Sequence, residues 1–305
     1  MSKEVVMSVD NLTKIFKSGI LKPEYTTAAE EVSFDIKKGT VLSLIGESGS
    51  GKTTVGKLIL KLLKPSSGSI CYKGKDIAEI SDKSELRNYY RRVQGIFQDP
   101  FATFNPLYRV DRVFKMIFDS FDLDIDDKDK AVREALENVN LNPDRTLGKF
   151  PHQLSGGQLQ RLLIARALLM DVDVLIADEL ISMLDASTRI GVLNLLVETC
   201  KKHGMSVIFI THDLNLGYYI SDESLIMYKG RLVERGDTKK IYENAVHPYT
   251  KMLFNSVPEI GERWDPDEEF LPEQIVKDVK EFYAENEGKG FVEVEDNHSV
   301  LYSVN

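Results

Sequence analysis

The sequence predicts an α/β fold: a mostly parallel sheet, covered on both faces and interrupted by a helical insert. Three observations carry this. Four short apolar runs, residues 41–45, 174–177, 207–210 and 225–228, read as strands buried on both faces. Segments of helical spacing separate them, as crossover connections between parallel strands require. A glycine-rich loop lies between the first of these strands and a helix.

Taken in order, residues 5–16 alternate loosely, and a turn-rich stretch from Ser18 to Glu24 follows. Val32, Phe34 and Ile36 alternate as a half-buried strand that ends at Lys38-Gly39. After the strand Val41–Ile45 and its loop, Thr54 to Leu63 has helical spacing and stops at Lys64-Pro65. Ser69–Tyr72 with Lys73-Gly74 suggests a short strand and turn. Residues 107–165 read as mainly helical: Val113, Ile117 and Phe121 share one face, and Val132, Ala135, Leu136 and Val139 share another. An acidic linker, Asp122 to Asp129, separates these two helices. Beyond Gly157 the α/β alternation returns, with a helix to about Met170 and another over Ser187–Lys201.

The texture changes after Pro258, and two domains are expected: 1–258, with a helical subdomain at about 99–165, and an accessory element at 259–305. Glu273–Asn286 places Ile275, Val279, Phe282 and Tyr283 on one helical face, and Phe291–Glu295 and Ser299–Tyr302 flank a turn at Asp296-Asn297, which suggests a hairpin. The net charge is −9, yet Glu259 to Asn305 holds 14 acidic and 4 basic residues, so the rest of the chain is close to neutral. This tail reads either as a packed cap with a solvated outer face or as a regulatory segment. With no basic stripe, nucleic acid is not an expected partner. No run reaches membrane-spanning length and the N-terminus lacks a secretory core, so a cytosolic location is expected. Cys71 and Cys200 read as reduced structural thiols.

Gly46-Glu47-Ser48-Gly49-Ser50-Gly51-Lys52-Thr53 fits the phosphate-loop pattern, and Thr54 continues into the helix. Glycines let the backbone wrap closely, so that successive N–H groups point at phosphates, and the helix start adds its positive end. Lys52 is expected to reach the β- and γ-phosphates of a nucleotide, and Thr53 to hold Mg²⁺ through its hydroxyl. A flexible surface loop is the competing reading, but the buried strand before the loop and the helix after it oppose that. The strand Val174–Ala177 ends in Asp178-Glu179: Asp178 suits the Mg²⁺ shell, and Glu179 suits a general base acting on water. A strand ending in solvated acids is the bland alternative. Leu154-Ser155-Gly156-Gly157-Gln158 opens a helix and forms a second anion-binding turn, which one nucleotide does not need from one chain.

At this point the sequence resembles the ATPase domains of ABC proteins, over about residues 5–257. The resemblance implies the P-loop NTPase fold of that family, with an N-terminal antiparallel β part, ATP and Mg²⁺ as ligands, and ATP hydrolysis. It implies that Ser155–Gln158 and Asp185 act in trans on ATP held by the other subunit of a head-to-tail dimer. Gln98 matches the glutamine that contacts Mg²⁺ or water, His212 the switch histidine, and Phe16 the aromatic that stacks on adenine; Tyr25 is a weaker candidate for that last role. Alone, His212 also reads as a capping or packing residue, and Phe16 as core.

The run Phe97–Pro106, the segment Met227–Glu234, His247-Pro248-Tyr249-Thr250 and a longer N-terminal loop over Ser18–Thr27 resemble the oligopeptide/dipeptide importer ATPases, F-type subunit. This implies a second ATPase chain as partner (a heterodimer, or else a homodimer), two transmembrane permease subunits, an extracytoplasmic substrate-binding protein acting indirectly, and a peripheral place on the cytoplasmic face of the membrane. Oligosaccharide or nickel import, a soluble non-transport ATPase, and an ATP-holding module without turnover are the alternatives. The sequence departs from the pattern at Leu180, where proline is usual, and at Leu159, where a basic residue is common. No cysteine follows Cys200, so the iron–sulfur cluster of some relatives is not expected.

Overall fold

The computed structural model of the chain describes residues 3–19, 23–256 and 272–303; the expected domain boundary at 258/259 lies outside them. The chain opens with β1 (Val5–Ser18) and β2 (Glu24–Lys37), an antiparallel pair that runs from Val5 opposite Lys37 to Ser18 opposite Glu24. Within the expected long loop over Ser18–Thr27, Ser18 and Glu24–Thr27 are strand, because Tyr25, Thr26 and Thr27 are aromatic or β-branched and favour extended backbone. Residues 20–22 of that stretch lie outside the described residues. Then come β3 (Val41–Ile45), α1 (Lys52–Ile59), β4 (Ser67–Tyr72) and β5 (Lys75–Asp76). α2 (Lys83–Arg92) and β6 (Val93–Ile96) follow; neither is evident in the sequence, since α2 is rich in charged and polar residues and buries only Tyr89, and β6 spans four residues with a glycine.

The insert comprises α3 (Pro100–Thr103), α4 (Arg112–Ser120), α5 (Lys128–Asn138), α6 (Pro143–Thr146) and the start of α7 (Gly156–Leu169). β7 (Val174–Asp178), α8 (Ala186–His203), β8 (Ser206–Thr211), α9 (Leu214–Ile220), β9 (Glu223–Tyr228) and β10 (Arg231–Asp237) complete the α/β part. The chain ends with α10 (Thr238–Glu243), α11 (Pro248–Asn255), α12 (Pro272–Glu285), β11 (Phe291–Glu295) and β12 (His298–Leu301).

Two sheets result, a four-stranded one in the order β2-β1-β4-β5 and an eight-stranded one in the order β11-β12-β10-β9-β3-β8-β7-β6. From β9 to β6 the pairings are parallel, and β10, β12 and β11 extend the sheet antiparallel. Side chains of the parallel strands alternate between two cores, as pleated strands must. Leu44, Ile176, Ile208 and Ile210 join the core under the four-stranded sheet and α1. Leu175, Ala177, Val207 and Phe209 join the core built by α5, α7 and α8. One face is thus covered by the N-terminal antiparallel sheet together with α1, and the other by helices.

The C-terminal hairpin is part of this sheet, with Glu234 opposite Val300 and Gly236 opposite His298. Ile275 and Val279 of α12 join Tyr249, Val233 and Leu301 in a third core, while Glu281, Glu285, Glu293 and Glu295 stay exposed. A buried polar cluster binds these elements. The Glu234 carboxylate accepts the Val246 and His247 N–H groups at 3.0 and 3.1 Å and sits 2.8 Å from His298 Nε2. His247 caps α11 by accepting the Tyr249 N–H at Nδ1, 3.2 Å away.

Burial keeps the His247 imidazole neutral, pushing its pKa down from 6.5 to about 3. In the unfolded chain it takes up a proton below about pH 6.5. Between those values the unfolded state binds more protons, so stability falls as pH is lowered. Moving from about pH 7 to about 4.5 is expected to cost about 2–3 kcal/mol through this residue. His247→Asn, which can still cap α11, loses that share of the pH dependence in urea titrations; equal pH slopes in the two proteins would refute the assignment.

Candidate functional site

Parallel register sets the site. Ile45 of β3 pairs with Thr211 of β8, Ile210 of β8 with Asp178 of β7, and Ala177 of β7 with Ile96 of β6. The residues that leave these strands, Gly46, His212, Glu179 and Phe97-Gln98, therefore emerge at one edge of the sheet. Ligands bind at such carboxyl ends of parallel strands.

The loop after β3 folds only because its glycines lack side chains. A Cβ on Gly46 would meet the Met227 carbonyl oxygen at 2.2 Å, and one on Gly51, which has φ 105, would meet the Ala28 carbonyl oxygen at 1.9 Å. Gly51 also opens α1 without a side-chain cap, so the N–H groups of the first turn have no partner inside the helix. The Lys52 ammonium folds back on the loop, donating to the carbonyls of Gly46 and Glu47 at 2.7 and 2.6 Å and to Ser50 Oγ at 3.2 Å. Burial lowers its pKa below that of an ordinary lysine, opposed by the carboxylates of Glu179, Asp178 and Glu47. This is an electropositive cradle of backbone donors with one buried cation, a form suited to phosphate.

A cleft of about 620 Å³ lies beside the cradle, lined among others by Ser48, Thr53, Gln98, Asp178 and Glu179. The Thr53 hydroxyl donates to Asp178 Oδ1 at 3.3 Å. Burial raises the Asp178 pKa, the Thr53 hydrogen bond and the Lys52 charge oppose this, and the Glu179 carboxylate adds to it. A hydroxyl, a carboxylate and an amide oxygen facing one cleft form a hard-oxygen donor set, which fits Mg²⁺. Glu179 and His212 meet directly, Oε1 to Nδ1, at 3.1 Å. Glu179 adopts φ 49, a left-handed conformation rare outside glycine. Leu180, in place of the family's proline, is fully buried, and Ser182 closes the turn with its N–H and hydroxyl on the Glu179 carbonyl at 3.1 and 3.0 Å.

Ser155–Gln158 and Asp185 line no part of this cleft. Ser155 and Gln158 form a capping box, Oγ accepting the Gln158 N–H at 3.2 Å and Oε1 accepting the Ser155 N–H at 2.9 Å. Asp185 caps α8, accepting from the Ser187 hydroxyl at 2.6 Å and the Thr188 N–H at 3.0 Å, and these bonds hold its carboxyl well below the usual range. The two motifs adjoin each other: a Cβ on Gly157 would lie 2.5 Å from Thr188 Cγ2. Leu159 is buried in the core behind them.

Phe16 and Tyr25 both project from the β1–β2 ladder, 39% and 65% exposed, and the Lys14 ammonium lies 5.1 Å from the centre of the Phe16 ring. Phe16 is thus not core, and neither ring lines the cleft. To three residues the sequence reading assigned no role at the site, although Tyr249 stands in the quoted run His247-Pro248-Tyr249-Thr250. Lys57 lines the cleft, and its spacing of four from Thr53 on α1 was the available signal. Arg189 reaches from α8 to the carbonyls of Leu184 and Ser182 at 2.7 and 3.3 Å. Tyr249 accepts the Glu47 N–H at its hydroxyl oxygen, 2.9 Å away, and nothing local in the sequence announces a contact across so many residues.

Comparison with known proteins shows what this chain is similar to. A family profile described as ABC transporter matches residues 29–182, and one described as oligopeptide/dipeptide transporter, C-terminal region, matches residues 233–293. The oligopeptide transport ATP-binding protein AppF of Bacillus subtilis is 37% identical over 262 residues, 84% of this chain and 79% of AppF. OppF of the same organism is 41% identical over 248 residues, covering 80% of this chain and 81% of OppF. Among solved structures, an ATP-binding cassette captured as a dimer after hydrolysis, with ADP and Pi, aligns with a TM-score of 0.66 at 28% identity, covering 76% of this chain and 98% of that one. cbiO1 from Clostridium perfringens, part of an ABC transporter complex, aligns with a TM-score of 0.68 at 27% identity, covering 85% and 98%.

The loop geometry makes Gly51→Ala a direct test. A methyl at that position collides with Ala28 and stands at a positive φ, a strain of about 1–3 kcal/mol. A lower unfolding midpoint and loss of MgATP binding, followed by calorimetric titration, are expected. Wild-type values for both would mean that the loop does not take this form.

Proposed function

This chain belongs to the ABC transporter family of ATP-binding proteins, and on that premise we propose that it is the ATP-hydrolysing subunit that energises an importer of oligopeptides or dipeptides. The observation that carries this reading is the joining of Thr53–Asp178 and Glu179–His212 beside the phosphate loop. AppF and OppF, similar over most of their length, are named as oligopeptide transport ATP-binding proteins, and peptide cargo is carried over from them.

In this reading the N–H groups of Gly49–Thr54 and the Lys52 ammonium hold the phosphates, with Gly46, Glu47 and Ser48 shaping the loop. Phe16 stacks on adenine. Thr53, Asp178 and Gln98 would hold Mg²⁺, which would offset the negative charge of the phosphates. Glu179 accepts a proton from the attacking water, and His212, in contact with Glu179, holds that carboxylate in place. Water oxygen bonds to the γ-phosphorus as the bond to the β–γ bridging oxygen breaks, and ADP leaves.

Ser155–Gln158 and Asp185 serve the partner's ATP. They adjoin one another yet line no part of this chain's own cleft, the arrangement expected if each ATP is held between two cassettes. ATP then favours the closed pair because only there are both anion sites engaged. We assign residues 1–258 to the nucleotide-binding domain, its helical part at about 99–165 facing two permease subunits, and 259–305 to an accessory element joined through the sheet. The second cassette is a different ATPase chain or a second copy of this one. No helix among the described residues is long and apolar enough to cross a membrane, and we place the chain peripherally on the cytoplasmic face, held there by the permease.

Glu179→Gln keeps the shape and removes the base. Turnover is expected to fall by about 10²–10⁴-fold, with MgATP binding retained. Sedimentation of this variant with MgATP reports the pairing: an ATP-dependent dimer means self-association, and an ATP-bound monomer sends the search to a second ATPase chain. Wild-type turnover in Glu179→Gln would sink the catalytic assignment.

A further inference from the structure

The cluster around Tyr249 reaches the phosphate loop from a part of the chain that the catalytic scheme does not use. Tyr249 lies in the first turn of α11 and is fully buried. Its ring packs against Tyr228 with centroids 4.3 Å apart, and its hydroxyl oxygen accepts the Glu47 N–H at 2.9 Å. The Glu47 carbonyl, in the next peptide unit, accepts from Lys52 Nζ at 2.6 Å and from the Ser50 N–H at 3.2 Å. Residue 47 is therefore held through both of its backbone groups.

The two clamps differ in what becomes of them when phosphate arrives. Lys52 is the cation of the cradle, and its three donors are shared between the loop and any bound anion. Tyr249 stands outside the cradle and makes no contact that a phosphate replaces. It is itself fixed. Its N–H is capped by His247 Nδ1, His247 is held by the Glu234 carboxylate through its N–H and by Tyr283 through Nε2 at 3.3 Å, and Glu234 is held in turn by His298 of the C-terminal hairpin. Among the described residues His298 Nδ1 is buried without a hydrogen-bond partner, and Nε2 is the ring nitrogen that meets Glu234.

We propose that Tyr249 is a positioning residue for nucleotide binding: its hydroxyl holds the Glu47 amide out of the cradle and so keeps the remaining loop N–H groups aimed at the phosphates. The inference rests on the ATPase reading above. A loop arranged before binding loses less freedom on binding, so the effect appears in affinity. Without the hydroxyl, the Glu47 N–H has no acceptor on its buried side and the loop must turn to satisfy it. Tyr249 touches no reacting atom, so the chemical step at saturating ATP is not affected.

The test is Tyr249→Phe in the full chain, which keeps the ring and its packing on Tyr228. The Kd and KM for MgATP are expected to rise about 5- to 20-fold, with kcat within about twofold of wild type and the unfolding midpoint measured without nucleotide as a check on folding. A second measurement needs no variant: hydrogen exchange at the Glu47 amide of the wild-type, nucleotide-free chain, expected to be protected. Wild-type chain that neither binds nor hydrolyses ATP overturns the ATPase reading itself. Where wild type binds ATP, an unchanged Kd and KM in Tyr249→Phe, a fall in kcat without a change in KM, or a Glu47 amide exchanging at the open-chain rate overturns this inference alone.

Discussion

Everything at the site depends on the parallel register of β3, β8, β7 and β6. Parallel strands point their carbonyl ends the same way, and here those ends stand level, Ile45 with Thr211, Ile210 with Asp178 and Ala177 with Ile96. The phosphate loop, the histidine, the carboxylate pair and the glutamine come from segments separated by up to 166 positions in the chain, yet the sheet delivers them to one edge. A slip of one residue in any of these strands would turn its side chains to the opposite face and also shift its terminal residue out of the cleft. The strands are held in place because both faces are buried: Ile176 and Ile208 on one side and Leu175 and Phe209 on the other are wholly inaccessible.

The loop then takes its shape from contact rather than from its own preferences. Met227 of β9 and Ala28 of β2 press their carbonyls to where Gly46 and Gly51 would otherwise carry Cβ atoms. The loop is therefore packed between the main sheet and the four-stranded sheet. That second sheet also carries Phe16 and Tyr25, so one element both presses on the loop and presents the exposed aromatics beyond it. The long β1–β2 ladder, not a flexible loop, sets where those rings can stand.

Much of this arrangement was legible in the sequence, and what was not has identifiable physical causes. Strands with apolar runs and helices with apolar faces announce themselves, as Val174–Ala177 and Ile275 with Val279 did. α2 did not, because of its ten residues only Tyr89 is buried, and a helix of charged and polar residues carries no periodic signal. The phosphate loop, Asp178 and Glu179 were readable because each is a local pattern tied to a strand end, whereas Gln98 follows a strand that was not readable and was singled out only through the family resemblance. Tyr249 and Arg189 were not, because their roles exist only through distant backbone, the Glu47 amide in one case and the Ser182 and Leu184 carbonyls in the other. Backbone partners leave no residue-type signature. The antiparallel extension by β12 and β11 was hidden for a similar reason: the hairpin is readable from its own alternation, but its docking on β10 is a matter of backbone pairing.

The turn after Glu179 shows how such contacts substitute for a missing proline. Glu179 stands at φ 49, a conformation that a non-glycine residue keeps only where its surroundings fix it. A proline at the next position would stiffen the turn through its ring. Here Leu180 is wholly buried in the core, the N–H and hydroxyl of Ser182 hold the Glu179 carbonyl, and Arg189 holds the carbonyls of Ser182 and Leu184. Arg189 belongs to α8, whose cap is Asp185, and the Gly157 backbone packs on Thr188 of the same helix. The aim of the Glu179 carboxylate and the position of the Asp185 and Ser155 surface are thus set by one packed unit. If, as proposed above, a partner cassette meets that surface and Glu179 is the base, a shift of the surface has a direct route to Glu179, through Arg189 and a turn of six residues.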